Sequence, residues 1–103
     1  MEGDNMIRHV FTTKCKEGTT DQEVDNFVNA MNAMKGTIPG MIDLHVGRNL
    51  EWYDHKAQIV VIADLEDKEA WDTYMTFPQH LKNGEKYGYI FDEDTMIASQ
   101  LEY

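Results

Sequence analysis

The chain is short of basic residues. Nine lysines and arginines stand against 19 aspartates and glutamates in 103 residues, a formal net charge of −10. Phosphate contacts need clustered cations, so this balance excludes a nucleic-acid partner. It argues equally against an anionic membrane surface. The acid excess reads as a solubility device. Only one cysteine is present, Cys15. It has no intrachain disulfide partner and belongs to no C-x-x-C pair, which fits a reducing compartment. Lys14 and Lys16 flank Cys15 and would lower its pKa, but no base is identifiable nearby to make it a nucleophile. No apolar run approaches the about 18 residues of a membrane-spanning helix. Residues 1–5 are short and polar, a disordered tail and not a signal peptide. The expected setting is the cytoplasm.

Phosphate-binding glycine loops and the G-x-S-x-G elbow are also missing. His45 and His55 stand apart from any compact His/Cys/Asp/Glu spacing, and Asp92-Glu93-Asp94 reads as a solvated turn. No metal and no cofactor are therefore expected.

What is present is periodic. Met6–Lys14 alternates, with Ile7, His9, Phe11 and Thr13 on one side and Met6, Arg8, Val10 and Thr12 on the other, which predicts a strand. Thr20 and Glu23 have the spacing of a capping box. Behind them Val24, Phe27, Val28, Met31 and Met34 recur at helical spacing, and Gly36 follows as a C′ residue. The turn Ile38-Pro39-Gly40 leads into a strand over Met41–Val46, then a polar loop over Gly47–His55 that holds Trp52 and Tyr53. Lys56–Leu65 reads as a strand whose centre, Ile59-Val60-Val61-Ile62, is apolar on both faces. Asp67 caps a helix through Met75, with Ala70, Trp71, Tyr74 and Met75 on one side. Pro78 begins a further helical stretch to about Phe91, weakened at Gly84 and Gly88 by about 1 kcal/mol each. Thr95–Tyr103 closes the chain as a strand.

The order β-α-β-β-α-β is that of the ferredoxin-like split βαβ fold, an α+β class. Its helices fall on one face of an antiparallel sheet. A third strand that is apolar on its other face too needs cover there. A second copy of the sheet is the simplest cover, so a homodimer in which two sheets face each other is expected, closed as an α+β barrel.

The sequence resembles the stress-responsive dimeric α/β-barrel (Dabb) family over residues 6–103. The likeness lies in Ile7-Arg8-His9-Val10 with Lys14-x-Lys16, in Ile38-Pro39-Gly40, and in Gly47-Arg48-Asn49. It continues in Asp64-Leu65-Glu66-Asp67 leading to Ala70 and Tyr74, and in Phe77-Pro78-x-His80, which is similar to the family's His-Pro-x-His signature. The resemblance implies a homodimeric α+β barrel with a cavity between sheet and helices in each subunit. Members include plant stress proteins without a clear reaction, a polyketide cyclase that works by aldol condensation, and a hydroxynitrile lyase, so the fold does not choose the reaction.

Matched residue by residue, a cyclase-like pocket implies His9, Tyr74 and His80 as its polar groups. The cyclase's third-strand histidine aligns with Ile59, and the first histidine of its signature with Phe77. Both departures count against transferring that cyclase's substrate and full mechanism. Phe11, Phe27, Met31, Ile59, Phe77 and Tyr87 are the expected substrate-binding residues.

Each candidate also has a plain structural reading. His9 is a core histidine satisfied by hydrogen bonds, or it orients His80 or the substrate. His80 caps a helix or lies at the surface, or the helix N-terminus holds it neutral for general acid/base work. Tyr74 packs in the core, or it donates to a substrate carbonyl. Met31 and Met34 fill the core or line an apolar pocket. Trp52, Tyr53, Tyr87 and Tyr89 wall a pocket entrance or pack at the dimer edge, and the stretch around Gly84 and Gly88 is a lid or a poorly packed helix end.

Three functions follow. The first is a cofactor-independent enzyme acting on a small apolar or polyketide-like carbonyl compound by cyclase or lyase chemistry. The second is a non-enzymatic stress-responsive binding or oligomerising protein. The third is a cofactor-free monooxygenase of the related dimeric barrel group. Histidines that face one shared cavity would favour the first over the second.

Overall fold

The computed structural model describes residues 5–103. The tail expected over residues 1–5 lies, apart from Asn5, outside the described residues. The elements in order are β1 (Ile7–Thr13), α1 (Asp21–Asn32), β2 (Met41–Arg48), β3 (Ile59–Leu65), α2 (Lys68–Thr76), α3 (Pro78–Tyr87) and β4 (Ile97–Glu102), with 3-10 turns at Gly88–Ile90 and Glu93–Thr95 before β4. The strands form one sheet in the order β2-β3-β1-β4, every neighbouring pair antiparallel. This is the ferredoxin-like fold, with its second helical unit broken in two. The break falls where Phe77 turns to extended backbone before Pro78, because proline crowds the preceding residue out of the helical region.

The caps form as their residue types dictate. Thr20 and Glu23 close a full capping box on α1, and the Asp67 carboxylate accepts from the Ala70 N–H at 2.8 Å. Val24, Phe27 and Met31 of α1 and Ala70 and Tyr74 of α2 are buried against the sheet. The sheet answers with Ile59, Val61, Ala63 and Leu65 of β3 and with Leu44 and Val46 of β2. No helix among the described residues is long and apolar enough to cross a membrane.

Several boundaries differ from the sequence reading. α1 ends at Asn32, before Gly36. The Asn32 amide donates to the Val46 carbonyl at 2.9 Å and accepts from the Val46 N–H at 3.0 Å. It thus stands in for a neighbouring strand along the edge of β2. β2 continues to Arg48, and β3 begins only at Ile59, leaving Lys56–Gln58 in the loop. The helical stretch from Pro78 runs as α3 to Tyr87 and continues as a 3-10 turn to Ile90, next to the expected end at about Phe91. Residues 89–91 beyond α3 are held from three sides. Lys16 N–H donates to the Ile90 carbonyl at 2.7 Å, Phe91 pairs with Cys15 across an isolated bridge, and the Tyr89 hydroxyl donates to Glu23.

Gly40 sets the close approach of the β2 entry to α2. Its φ is +79°, and a Cβ there would stand 2.6 Å from the Ala70 Cβ. Gly40→Ala is expected to cost about 2–4 kcal/mol from left-handed backbone and overpacking together. A lowered urea midpoint with an unchanged m value would register this loss.

Candidate functional site

Because side chains alternate along a strand, the register that pairs Phe11 with Val61 and His9 with Ala63 turns all four toward the helices. On β4, Ala98 lies opposite Phe11 and Gln100 opposite His9. Above this floor α1 contributes Phe27 and Met31, α2 contributes Tyr74 and Met75, and α3 contributes His80 and Gly84. These residues, with Phe91, enclose a cavity of about 290 Å³. Gly84, Met96 and Ala98 line it and are exposed, so it opens between α3 and the free edge of β4. Its lining is apolar except for His9, Tyr74 and His80.

The structure brings these three together. Tyr74 lies between the histidines: its ring stacks on His80 at 4.3 Å between centroids and 8° between planes, and it meets His9 edge-on at 5.8 Å. Phe11, Phe27 and Met31 line the cavity as expected from sequence. Ile59, Phe77 and Tyr87 do not. Ile59 is fully buried opposite Thr13, toward the far end of β3, and the β3 side chain that reaches the cavity is Val61. Phe77 and Tyr87 line a separate groove between α1 and α3, beside the buried Asn83. Trp52, Tyr53 and Tyr89 are not in the lining either, so they do not wall its entrance.

Hydrogen bonds assign each imidazole a tautomer. His80 Nδ1 lies 2.8 Å from the Tyr74 carbonyl. A carbonyl only accepts, so Nδ1 carries the proton and Nε2 of the neutral ring has a free lone pair. His9 is the reverse. The Trp71 indole N–H, which can only donate, lies 3.2 Å from His9 Nδ1, and the Gln100 amide nitrogen lies 3.0 Å from the same atom. His9 Nδ1 is therefore the acceptor and Nε2 bears the proton. Among the described residues, no hydrogen bond joins His9 to His80, and the expectation that one histidine orients the other is replaced by Trp71 and Gln100. Sequence reading had placed Trp71 on the inner helix face and had assigned Gln100 nothing. A donor-only indole on the same face as a lone strand histidine was the available signal.

Burial keeps the group uncharged. It lowers the His9 pKa, with the nearby His80 as a secondary cause, and it lowers the His80 pKa against the opposing hydrogen bond to the Tyr74 carbonyl. Burial also pushes the Tyr74 hydroxyl up to about 12, so it remains a protonated donor. No hydrogen bond occupies that hydroxyl among the described residues, and no buried side-chain N or O there lacks a partner; the hydroxyl therefore keeps the residual exposure of a ring that is 1% exposed. Cys15 departs from expectation. Burial raises its thiol pKa, and the cation that partly offsets this is Arg48, not the flanking lysines.

A family model, the stress responsive A/B barrel domain, matches residues 7–98. The chain belongs to that family. Among solved structures, this A/B barrel protein is similar to a dimeric ferredoxin-like protein of unknown function from Thermobifida fusca, at 19% identity and a TM-score of 0.85, over 96% of this chain and 92% of that one. It is similar to the hydroxynitrile lyase of Passiflora edulis at 10% identity and a TM-score of 0.81, over 97% and 94% of the two chains. A Bacteroides thetaiotaomicron protein of unknown function, described as a possible oxidoreductase, matches at 12% identity and a TM-score of 0.72, over 97% and 99%. At identities this low, the TM-scores establish a shared fold and nothing more. No curated protein matches the sequence.

Two predictions follow from the tautomers and their burial. In the double variant Trp71→Phe/Gln100→Leu the His9 Nδ1 atom loses both donors. Long-range 1H–15N spectra should then show a mixture of tautomers in place of the single Nε2–H form. In the native chain, ring titrations followed by NMR should place the His9 and His80 midpoints below the ordinary 6.5. The sign for stability is definite: an unfolded chain binds these protons at about 6.5 and the folded chain only at lower pH. Stability is thus greatest above that pH and falls as pH drops toward the lowered folded values, which denaturation series between pH 7 and pH 5 would record.

Proposed function

We propose that this A/B barrel protein works as a homodimer and performs cofactor-independent proton transfer on a small, largely apolar carbonyl compound held in the cavity. The observation that carries the reading is the pair of neutral histidines in opposite tautomers on either side of Tyr74. His80 Nε2 is a base with a free lone pair. It takes the proton from the carbon next to the carbonyl; the C–H electron pair moves into the C–C bond and the carbonyl pair onto oxygen. The Tyr74 hydroxyl and His9 Nε2–H supply donors for that oxygen, where stabilisation counts most. The enolate carbon then attacks a second carbonyl, whose oxygen takes the proton from His80, as in an aldol cyclisation, or the carbon takes that proton back itself.

The lining contains no lysine or arginine. This favours a neutral ligand over a carboxylate or phosphate ester. The homodimer rests on the dimeric state of ferredoxin-like neighbours and on the outer face of the sheet, where Val10, Val60 and Ile62 are only half-buried and Ile97 and Leu101 are exposed.

The test uses phenylacetone in D2O, with loss of its α-proton signal followed by NMR. Wild type should exchange faster than His80→Ala by about 10²–10⁴-fold, the usual yield of a positioned base. The rate should hold its plateau to below pH 6.5, because the lowered pKa keeps the base neutral there. Equal exchange by wild type and His80→Ala would sink the reading. Binding to the cavity with no exchange above buffer would leave the non-enzymatic binding protein instead.

A further inference from the structure

The loop between β2 and β3 is ordered by its own hydrogen bonds yet presents its largest apolar side chains to solvent. Asn49 N–H donates to the Gln58 carbonyl at 2.9 Å, and the Asn49 amide donates to the Ala57 carbonyl at 2.8 Å. Asn49 Oδ1 accepts from Glu51 N–H at 3.0 Å, and Asp54 Oδ1 accepts from Lys56 N–H at 3.1 Å. His55 closes back on Glu51 at 3.0 Å. On this braced frame Leu50 is 69% exposed, Trp52 90% and Tyr53 96%. None of the three belongs to the core cluster or to the cavity lining. A loop held in one shape while showing such side chains has the character of an interaction site.

We infer that this loop is an arm that clasps a second copy of the chain and completes the interface begun by the outer face of the sheet. The inference rests on the pairing of two copies proposed above. Two observations select this occupant. The first is continuity. The arm grows from β2 and β3, and its base is tied into the sheet, Gln58 N–H donating to the Thr13 carbonyl at 2.9 Å. The second is area. Four strands of six to eight residues present a plan of only about 450 Å² at the usual strand spacing and rise. Stable interfaces take about 800 Å² from each partner. Two aromatic side chains bury about 150–250 Å² each, which brings the total close to that requirement. The arm is also only weakly charged: Glu51 and Asp54 stand against Lys56, while Arg48 at the end of β2 is already paired with Asp25 of α1. Two copies of a chain with net charge −10 can therefore meet there without strong repulsion.

The double variant Trp52→Ala/Tyr53→Ala tests the inference by sedimentation velocity over a dilution series. Wild type should be a dimer whose dissociation constant rises at least tenfold in the variant, while far-UV circular dichroism stays the same. As a second reading, Trp71→Phe leaves Trp52 as the single tryptophan. Its emission should be blue-shifted and shielded from acrylamide in the dimer and should shift red on dilution. A wild type that is monomeric at every concentration would overturn the pairing of copies and the arm with it. A dimer equally tight in the variant, or a Trp52 as quenchable in the dimer as in a free peptide, would overturn the arm alone and leave the paired sheets standing.

Discussion

β3 points Ile59, Val61, Ala63 and Leu65 at the helices and Val60 and Ile62 the other way, and an apolar strand of this kind must be covered on both sides. Much of the molecule follows from that requirement. On one side the cover is α1, α2 and α3, held at their starts by a capping box, an aspartate and a proline. On the other side the described residues supply no further element, and the exposed Ile97 and Leu101 continue the apolar surface across β4. The Arg8–Asp64 pair lies on this outer face with two hydrogen bonds, at 2.7 and 3.1 Å. Asp64 is held below its usual pKa chiefly by Arg8. A pair already satisfied in this way can be covered by a second sheet without leaving a lone charge in the interface.

The cavity arises where this cover is incomplete. β4 is an edge strand, and the helices do not reach fully over it, so Ala98 stays exposed although it shares a face with His9 and Phe11. The gap lies next to His9, Tyr74 and His80, the polar side chains of the cavity lining. His9 is bonded on one nitrogen by two donors, His80 is bonded on one nitrogen by a carbonyl, and Tyr74 lies between them, stacked on His80 and edge-on to His9. An apolar wall lowers both imidazole pKa values and raises that of the phenol. The same burial that stabilises the fold therefore leaves one base and two donors uncharged around a common space.

The fold was legible because its signals are local. Alternation in β1, the unbroken apolar centre of β3, the helical spacing from Val24 to Met31, and the caps at Thr20 and Asp67 each involve residues within a few positions of one another. His9, Tyr74 and His80, like Phe11, Phe27 and Met31, were legible through a family resemblance joined to correct faces. Ile59, Phe77 and Tyr87 were not. Ile59 faces inward as its parity requires but lies too far along β3. Phe77 sits at the break between α2 and α3, and Tyr87 ends a helix that turns toward another groove. An alignment position or an aromatic side chain predicts burial; it does not say which cavity the side chain borders.

By itself the sequence determined the order of elements, the faces they bury, the acidic character of the surface and the presence of an uncovered apolar sheet face, since these depend on spacing and composition alone. Only the tertiary structure decided the state of the histidines. Trp71 is 62 positions from His9, Gln100 is 91, and the Tyr74 carbonyl reaches His80 only because Pro78 bends the chain back. A tautomer is set by the one atom that happens to lie against each ring nitrogen, and contacts of that range exist only once the sheet and helices have closed around them.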